Sequence, residues 1–155
     1  MVKKDKLYEG KAKIIYSTDN PECVIQYFKD DATAFNAAKK GTVNQKGIIN
    51  NKISSKIFSF LETQGIPTHF IERLTDREML VKKVEIVSIE VITRNKAAGS
   101  LWRLLGLKEG TPIASPILEF CYKRDDLNDP LINEYHISAL QLAAPREIEV
   151  IKNYV

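Results

Sequence analysis

The sequence predicts an α+β fold, with antiparallel strands first, then a helix, then further strands and further helices. Apolar and polar residues alternate between turn residues over the first thirty positions, which is typical of strands. Apolar residues then recur at helical spacing from Ile49 to Leu61. Strands and helices do not alternate regularly along the chain, as the βαβ units of a parallel sheet would require.

The first half of the chain is predicted to hold strands, a loop and one long helix. In order, these are strands at residues 7–8, 12–16 and 23–28, a loop over residues 31–46 and a helix from Ile49 to Leu61. A turn at Asp19-Asn20-Pro21 would let the second and third strands pair as a hairpin. Gly65 and Pro67 supply the stop of the helix.

The second half is predicted to hold further strands and two terminal helices. In order, these are strands at residues 68–74, 78–84 and 86–93, a short helix at 101–105, a strand at 116–122, a helix at 135–143 and a helix from Pro145. The β-rich run passes from one sheet to another near residues 84–87, so we expect two lobes, residues 1–84 and 85–155. The last helix has no glycine or capping residue before Val155, so we expect the chain to end within it.

Composition narrows the class of protein. The chain has 155 residues with 23 Lys+Arg and 20 Asp+Glu, so its formal net charge is +3. This mixed charge does not favour a nucleic-acid partner, and no apolar run approaches the ~18 residues that would cross a bilayer. Cys23 and Cys121 form no CxxC pair, and the N-terminus has no apolar signal-peptide core. We therefore expect a cytoplasmic protein with reduced thiols and no nucleic-acid or membrane partner.

A glycine turn flanked by lysines is the first candidate site. In the segment Tyr8–Lys13, the small residues Gly10 and Ala12 let backbone N–H groups approach an anion closely. Lys11 and Lys13 would project to the same face of a strand, so both could reach one polyphosphate. Taken alone, the motif is better explained as an exposed hairpin with solvated lysines.

The second candidate site is the segment Arg94–Ser100. A strand rich in β-branched residues delivers Arg94, which can bind a phosphate with two hydrogen bonds. A loop of small residues follows, and Ser100 stands at a helix start, where it can cap the helix or offer its hydroxyl. The alternative is an ordinary N-cap serine beside a surface arginine.

The third candidate site is the acidic segment 125–130. Its clustered carboxylates could bind a metal or orient an amine, or they could merely cap the backbone of a turn. His69 and His136 have no second His or Cys at ligand spacing, so we predict no metal site from these residues. Neither does the spacing support a Ser/His/Asp arrangement.

Six segments occur in an order that resembles one family. They are Leu7–Lys13, 31–36, Asn50–Ser54, Leu80–Lys83, Glu90–Ser100 and Asn128–Leu131. Together they resemble SAICAR synthetase, an ATP-dependent ligase of purine biosynthesis. The resemblance implies that carboxyaminoimidazole ribotide and L-aspartate are joined as an amide while ATP becomes ADP and phosphate. In the family's usual scheme, the ribotide carboxylate is first phosphorylated and the aspartate amine then attacks the acyl phosphate. It further implies Mg²⁺ on the ATP phosphates, lobes like those of kinases, and a homo-oligomer, namely a dimer.

The resemblance also assigns residues. The turn of Gly10, Lys11, Ala12 and Lys13 would cover the ATP phosphates. The adenine would lie between Ile15 and Val24, and the backbone at Lys82, Val84 and Ile86 would bind its edge. Arg94 and Ser100 would hold the ribotide 5′-phosphate, with Asp129 near the acceptor substrates. Of these residues, Lys11, Lys13 and Asp129 would be catalytic.

The sequence also departs from the family pattern. Ser88 stands where proline is frequent, Thr93 where an apolar residue is usual, and Ala37 where glycine is common. The family's later carboxylate block, which carries the magnesium ligands, is absent, so we expect these 155 residues to be insufficient for catalysis. Two alternatives remain at this point: a non-catalytic basic RNA-binding module, and a different ATP-dependent kinase of similar architecture.

Overall fold

The computed structural model describes residues 1–34 and 39–155, and these form two units, Met1–Glu85 and Ile86–Val155. The first unit contains a five-stranded antiparallel sheet in the order β1-β2-β3-β7-β6. Its strands are β1 (Lys3–Glu9), β2 (Lys13–Thr18), β3 (Cys23–Phe28), β6 (Phe70–Arg73) and β7 (Glu78–Lys82). The predicted α+β class is confirmed.

The central strand β3 is buried on both faces, which explains its nearly continuous apolar sequence. One face carries Val24 and Phe28, which pack with Met79 and Val81 of β7. The opposite face carries Cys23 and Ile25, which pack with Leu80. The sheet therefore has two apolar layers, and only the first of them includes a residue of the long helix, Phe58.

The long helix α1 (Lys46–Thr63) confirms the predicted helix, but its apolar stripe faces away from the sheet. Ile49, Ile53, Ile57 and Phe60 are each at least half exposed. The side of α1 that meets the sheet instead buries Asn51 completely. Polar contacts therefore add to the apolar packing of Phe58 at this junction.

The Asn51 amide nitrogen donates to the backbone oxygens of Thr75 and Asp76, both at 3.0 Å, and of Glu78 at 3.3 Å. These three carbonyls belong to the turn before β7 and to its first residue. Among the described residues, nothing donates to the Asn51 Oδ1 atom. One buried side chain thus ties α1 to the turn between β6 and β7.

A second polar anchor joins the start of α1 to the end of β3. Asp30 forms a two-pronged ion pair with Arg77, at 2.7 and 2.8 Å, and accepts from the Gly47 N–H at 2.8 Å. The Arg77 guanidinium and the Gly47 N–H together lower the pKa of Asp30 to about 2. A Cβ at Gly47 would lie 2.3 Å from the Phe28 carbonyl oxygen, so only glycine permits this close approach.

The prediction of a loop over residues 31–46 is wrong. Within it, β4 (Asp31–Ala34) and β5 (Lys39–Thr42) pair with each other as a separate two-stranded antiparallel sheet. Each strand of this ribbon has only four residues, which is too short a run to show a clear apolar and polar alternation. Residues 35–38, which include the motif position Asn36 and the departure at Ala37, lie outside the described part of the chain.

The second unit contains a three-stranded antiparallel sheet in the order β10-β9-β8. Its elements are β8 (Ile89–Lys96), α2 (Leu101–Leu104), β9 (Pro112–Tyr122), a 3₁₀ turn (Asp125–Leu127), β10 (Leu131–Ile132), α3 (Glu134–Ala139) and α4 (Pro145–Asn153). The two-residue strand β10 is too short to give an alternating pattern and is not predicted from the sequence. Helix α4 ends at Asn153, with Tyr154 after it, so the expectation that it runs to Val155 is wrong.

The two faces of this second sheet differ in character. Ile89 of β8 and Phe120 of β9 pack against Ile137 of α3 and Ile148 of α4, and these four residues form the core. The alternate residues of the same strands, which include Arg94 and Glu119, point to the opposite face. In the described ranges 1–34 and 39–155, the helices are too short or too polar for any of them to cross a bilayer.

Candidate functional site

The glycine turn of the first unit connects β1 to β2. Its backbone is closed by a hydrogen bond from the Gly10 N–H to the Lys13 carbonyl at 2.9 Å. A second bond, from the Lys29 N–H to the Ala12 carbonyl at 2.9 Å, ties the turn to the end of β3. Gly10 also lies against the Tyr8 side chain, because a Cβ there would be 3.1 Å from a ring carbon and from the hydroxyl oxygen of Tyr8. The turn is therefore held on two sides, and sequence reasoning gave Tyr8 no role in it.

Lys11 and Lys13 are placed differently from each other. Lys11 lies in the turn, whereas Lys13 is the first residue of β2, so the prediction that strand alternation puts both on one face is wrong. The Lys13 residue is exposed, but its ammonium lies 5.3 Å from the centroid of the Phe28 ring, and partial burial lowers its pKa. Burial and the nearby charges of Lys13 and Lys82 lower the pKa of His69. Positive potential is thus concentrated on this part of the unit.

One face of the sheet brings together Lys13, Ile15 and Val24. In the β2–β3 register, Lys13 is opposite Phe28, Ile15 opposite Gln26, and Val24 opposite Ser17, and residues that are opposite share a face. Ile15 is partly buried and packs on the cluster that contains Val24. Val24 itself is only 7% exposed, so any ligand on this face would contact little of it.

Two carboxylates hold the cations that flank the turn. Glu9 accepts from Lys29 at 2.8 Å and from Lys6 at 2.9 Å, and these ammonium groups lower the pKa of Glu9 to about 2. Lys29 also pairs with Asp31 at 2.6 Å. Lys29 is therefore committed to two carboxylates, and its role here is to hold the turn in place.

The residues predicted to bind an adenine edge lie where β7 ends. The Lys82 N–H already donates to the His69 carbonyl at 2.7 Å, so that donor is not available to a ligand. Val84 and Ile86 are 54% and 69% exposed in the segment that follows β7. The boundary between the two units falls between Glu85 and Ile86.

The second unit has a cleft of about 600 Å³ on the charged face of its sheet. Three residues predicted from the sequence, Arg94, Ser100 and Asp129, line it together. Sequence reasoning missed further polar residues of the same cleft, which are Arg103, Glu119 and Cys121. The available signal was strand alternation, because Glu119 and Cys121 flank the core residue Phe120 and so must face away from the core.

Arg94 is held by contacts on three of its atoms. Its Nε donates to Glu119 Oε2 at 2.6 Å, its Nη1 to the Ala98 carbonyl at 3.3 Å, and its Nη2 to the Ser100 hydroxyl at 3.4 Å. Arg94 and Glu119 side chains are 18% and 10% exposed, so this ion pair is largely shielded from water. The loop of small residues after β8 includes Gly99, whose φ of +58° is left-handed. Glycine adopts this conformation without strain, which explains its presence there.

Ser100 does not cap α2. Its backbone is already helical, with φ −75° and ψ −27°, and its side chain makes no capping hydrogen bond. The helix it precedes is only four residues long. Of the two sequence-based readings of Ser100, the structure therefore favours a hydroxyl that serves the cleft beside Arg94.

Asp129 belongs to a strained turn at the edge of this cleft. Asn128 and Asp129 both have positive φ values, 59° and 46°, which are rare for residues with side chains. One Asp129 oxygen accepts from the Arg124 N–H at 2.8 Å. The Asp129 carboxylate therefore caps a backbone N–H of its own turn, as one of the two interpretations of this segment predicts. The same carboxylate also lines the cleft.

The thiol of Cys121 in this cleft is held in its neutral form. Burial, followed by the Glu90 and Glu119 carboxylates, raises the pKa of the Cys121 thiol, which keeps it protonated at neutral pH. Within residues 1–34 and 39–155, no group of three or more His, Cys, Asp or Glu side chains could hold a metal ion. Ion pairing and hydrogen bonding to an anion are what the cleft offers.

Comparison with known proteins gives one family. The family model described as SAICAR synthetase matches residues 6–155. A phosphoribosylaminoimidazole-succinocarboxamide synthase of Caldanaerobacter subterraneus subsp. tengcongensis is 60% identical over 98% of this chain and 65% of the relative. The enzyme of that name from Clostridium botulinum (strain Loch Maree / Type A3) is 56% identical over 96% of this chain and 64% of the relative. The chain thus spans less than two-thirds of the length of these relatives.

Solved structures give the same result. The crystal structure of phosphoribosylaminoimidazole-succinocarboxamide synthase from Ehrlichia chaffeensis is 51% identical, with a TM-score of 0.92 over 96% of this chain and 62% of that one. A SAICAR synthetase (Type-2) in complex with ADP is 42% identical, with a TM-score of 0.89 over 94% of this chain and 62% of that one. Sequence and fold therefore agree over nearly all of the described residues, and the chain belongs to the SAICAR synthetase family.

Proposed function

We propose that the protein to which this chain belongs joins L-aspartate to carboxyaminoimidazole ribotide, with ATP converted to ADP and phosphate. The family membership supports the reaction class, and the relative that binds ADP supports the nucleotide. We assign the nucleotide to the first unit and the ribotide phosphate to the second. The observation that carries this proposal is the convergence of Arg94, Ser100 and Asp129 in one cleft of a family member.

In the first unit, Lys13 and Ile15 fit a nucleotide. They share a sheet face, with the ammonium at the turn end and the apolar side chain further along the strand. We assign Gly10, Lys11, Ala12 and Lys13 to the phosphates, and Ile15 with the small exposed part of Val24 to the adenine. The exposed residue Val84, near the end of this unit, supplies the adenine edge, and the N–H of Lys82 does not. When bound, ATP would supply the phosphoryl group that activates a carboxylate.

In the second unit, Arg94 and Ser100 bind the 5′-phosphate of the ribotide, and Asp129 lies close to the acceptor substrates. Lys11 and Lys13 neutralise charge on the transferred phosphoryl group, which is the main protein contribution in such reactions. The described carboxylates do not form a metal cage, so they do not fit a Mg²⁺ held by the chain alone.

We further propose a cytoplasmic homodimer that binds small molecules and neither nucleic acid nor membranes. The RNA-binding module and the unrelated kinase, both possible from single motifs, gain no support from a family match that covers residues 6–155.

Calorimetry with two ligands and two variants tests the proposal. We expect Lys13→Met to weaken ADP binding about tenfold and to leave carboxyaminoimidazole ribotide binding unchanged, because one charged contact to an anion is lost. We expect Arg94→Ala to weaken the ribotide about tenfold and to leave ADP unchanged, for the same reason in the other unit.

Two matched controls accompany these variants. Lys4→Met removes an exposed lysine of β1, and Arg146→Ala removes an exposed arginine of α4. Neither control should alter the affinity for ADP or for the ribotide. A ribotide affinity that Arg94→Ala leaves unchanged would remove the basis of the ribotide assignment, and an unchanged ADP affinity in Lys13→Met would do so for the nucleotide.

A further inference from the structure

The cleft of the second unit contains a carboxylate that needs an explanation. Glu119 lies at 2.6 Å from Arg94 and is 10% exposed, in the cleft to which we assign a phosphate. A carboxylate in an anion site repels the anion, so charge alone would disfavour a glutamate at this position. Some other contribution must offset that repulsion.

The geometry of Arg94 indicates what Glu119 contributes. A guanidinium has five N–H donors, and the described contacts of Arg94 use three of them. Two of these contacts, to the Ala98 carbonyl and the Ser100 hydroxyl, are long, at 3.3 and 3.4 Å. Only the bond from Nε to Glu119 is both short and charge-assisted, and such bonds are the strong ones.

The strand register makes this contact rigid. Glu119 of β9 is directly opposite Ile92 of β8, so Arg94 is its diagonal neighbour on the same face. Phe120, the residue next to Glu119, is anchored in the core on the other face of the sheet. The carboxylate is therefore attached to a fixed backbone, and it holds the Nε edge of the guanidinium.

We propose that Glu119 is a positioning residue, which fixes the Arg94 guanidinium so that its remaining N–H donors face a phosphate in the cleft. This rests on the proposed function of Arg94. Glu119 does not touch the phosphate; it acts through Arg94. Its net effect on anion binding is favourable because the orientation it gives to Arg94 outweighs the repulsion of its own charge.

The sign of a mutational effect separates positioning from charge. Glu119→Ala removes both the negative charge and the acceptor for Nε. If Glu119 acts only through its charge, this variant binds anions more tightly; if Glu119 positions Arg94, it binds them less tightly. Glu119→Gln removes the charge but keeps an oxygen that can accept from Nε, so positioning predicts that it retains the affinity.

Calorimetry of the unmodified chain and its variants with ribose 5-phosphate measures this sign. We expect Glu119→Ala to bind about tenfold more weakly, and Glu119→Gln to stay within about threefold of the unmodified chain. Glu109→Gln, at an exposed turn of the same unit, is the matched charge control and should change nothing. Equal or tighter binding by Glu119→Ala overturns the proposal, as does a loss in Glu119→Gln as large as that in Glu119→Ala.

A second readout does not depend on ligand binding. In ¹⁵N NMR spectra, the Arg94 Nε–H signal, identified by its loss in Arg94→Lys, should exchange slowly with water in the unmodified chain and in Glu119→Gln. It should exchange at least about tenfold faster in Glu119→Ala, because the shielding acceptor is lost. Equal exchange rates in all three overturn the proposal. If the unmodified chain itself does not bind ribose 5-phosphate, the ribotide assignment fails and the positioning role falls with it, even where the exchange data show the ion pair.

Discussion

In the first unit, α1 meets the sheet through one apolar residue, Phe58, and through polar contacts of Asn51 and of the Asp30–Arg77 pair. The stripe that includes Ile53 is left in solvent. In the second unit, α3 and α4 meet the sheet through Ile137 and Ile148, both almost fully buried. The positions of the two candidate sites differ accordingly. The residues assigned to the nucleotide share the sheet face that contacts α1, whereas the phosphate cleft lies on the face opposite to α3 and α4.

This contrast has a physical reason. A sheet whose helices are attached by apolar packing has one face committed to the core, so charged groups can collect only on the other face. A helix attached by hydrogen bonds and an ion pair needs less apolar area, and a lysine such as Lys13 can then share the helix-facing side. The way in which a helix is attached to the sheet thus determines which face of the sheet can carry charged side chains.

The largest effect should come from the apolar attachment. Ile148 is 4% exposed in the core of the second unit, so we expect Ile148→Ala to lower its free energy of unfolding by about 3 kcal/mol. Guanidinium unfolding monitored by the fluorescence of Trp102, the single tryptophan of the chain, measures this, since Trp102 belongs to the same unit. Val150→Ala, a truncation of an exposed residue on the same helix, is the control and should shift the transition little. A loss below about 1 kcal/mol would contradict apolar attachment.

The polar attachment should give a somewhat smaller effect. We expect Asn51→Ala to lower the stability of α1 by about 2 kcal/mol, because the carbonyls of Thr75, Asp76 and Glu78 lose a buried donor. Amide hydrogen exchange of the α1 segment, followed by mass spectrometry, is the measurement. Ile53→Ala, on the exposed side of the same helix, should stay within about 0.5 kcal/mol. A larger loss for Ile53→Ala than for Asn51→Ala would reverse the comparison.

The smallest effect should be a pH dependence confined to the first unit. The folded pKa of Asp30, about 2, lies below its usual 3.8, so its ionised form stabilises the fold. That contribution is complete above about pH 4 and is lost as the pH falls through 2. We expect protection of α1 amides to decrease over this window, and Asp30→Asn to flatten that decrease in part, because Glu9 titrates over the same range. An unchanged pH profile in Asp30→Asn would show that the ion pair does not anchor α1.

Elements with a clear pattern of apolar residues were predicted correctly from the sequence, and elements without one were missed. β3 is a continuous apolar run and α1 has a clear helical period, and the structure confirms both elements. The strands β4, β5 and β10 carry no such pattern, because runs of four, four and two residues are too short to show one. Helical period also could not reveal which side of α1 is buried, since the hydrogen bonds of Asn51 join residues more than twenty positions apart.

The candidate site could be predicted only as far as local motifs reach. Arg94, Ser100 and Asp129 were each suggested by local chemistry, and the structure places them in one cleft. Glu119 was not predicted because its contact with Arg94 depends on the register between β8 and β9. These strands are separated by a long connection, so local motifs do not reveal the register. The assignments of Lys11, Lys13 and Asp129 as catalytic remain predictions.

The alternation along β8 has a consequence for how this strand can change over evolutionary time. Its odd and even positions serve different ends, since Ile89 and Val91 face the core while Arg94 faces the cleft. Inserting or deleting a single residue within β8 would turn the residues on one side of the change to the opposite face. Either the Arg94 guanidinium would then lie among apolar core side chains, or apolar core residues would face the cleft. The number of residues in β8 thus affects both the core and the cleft. We expect a change in the length of this strand to be tolerated less well than a change in any one of its side chains.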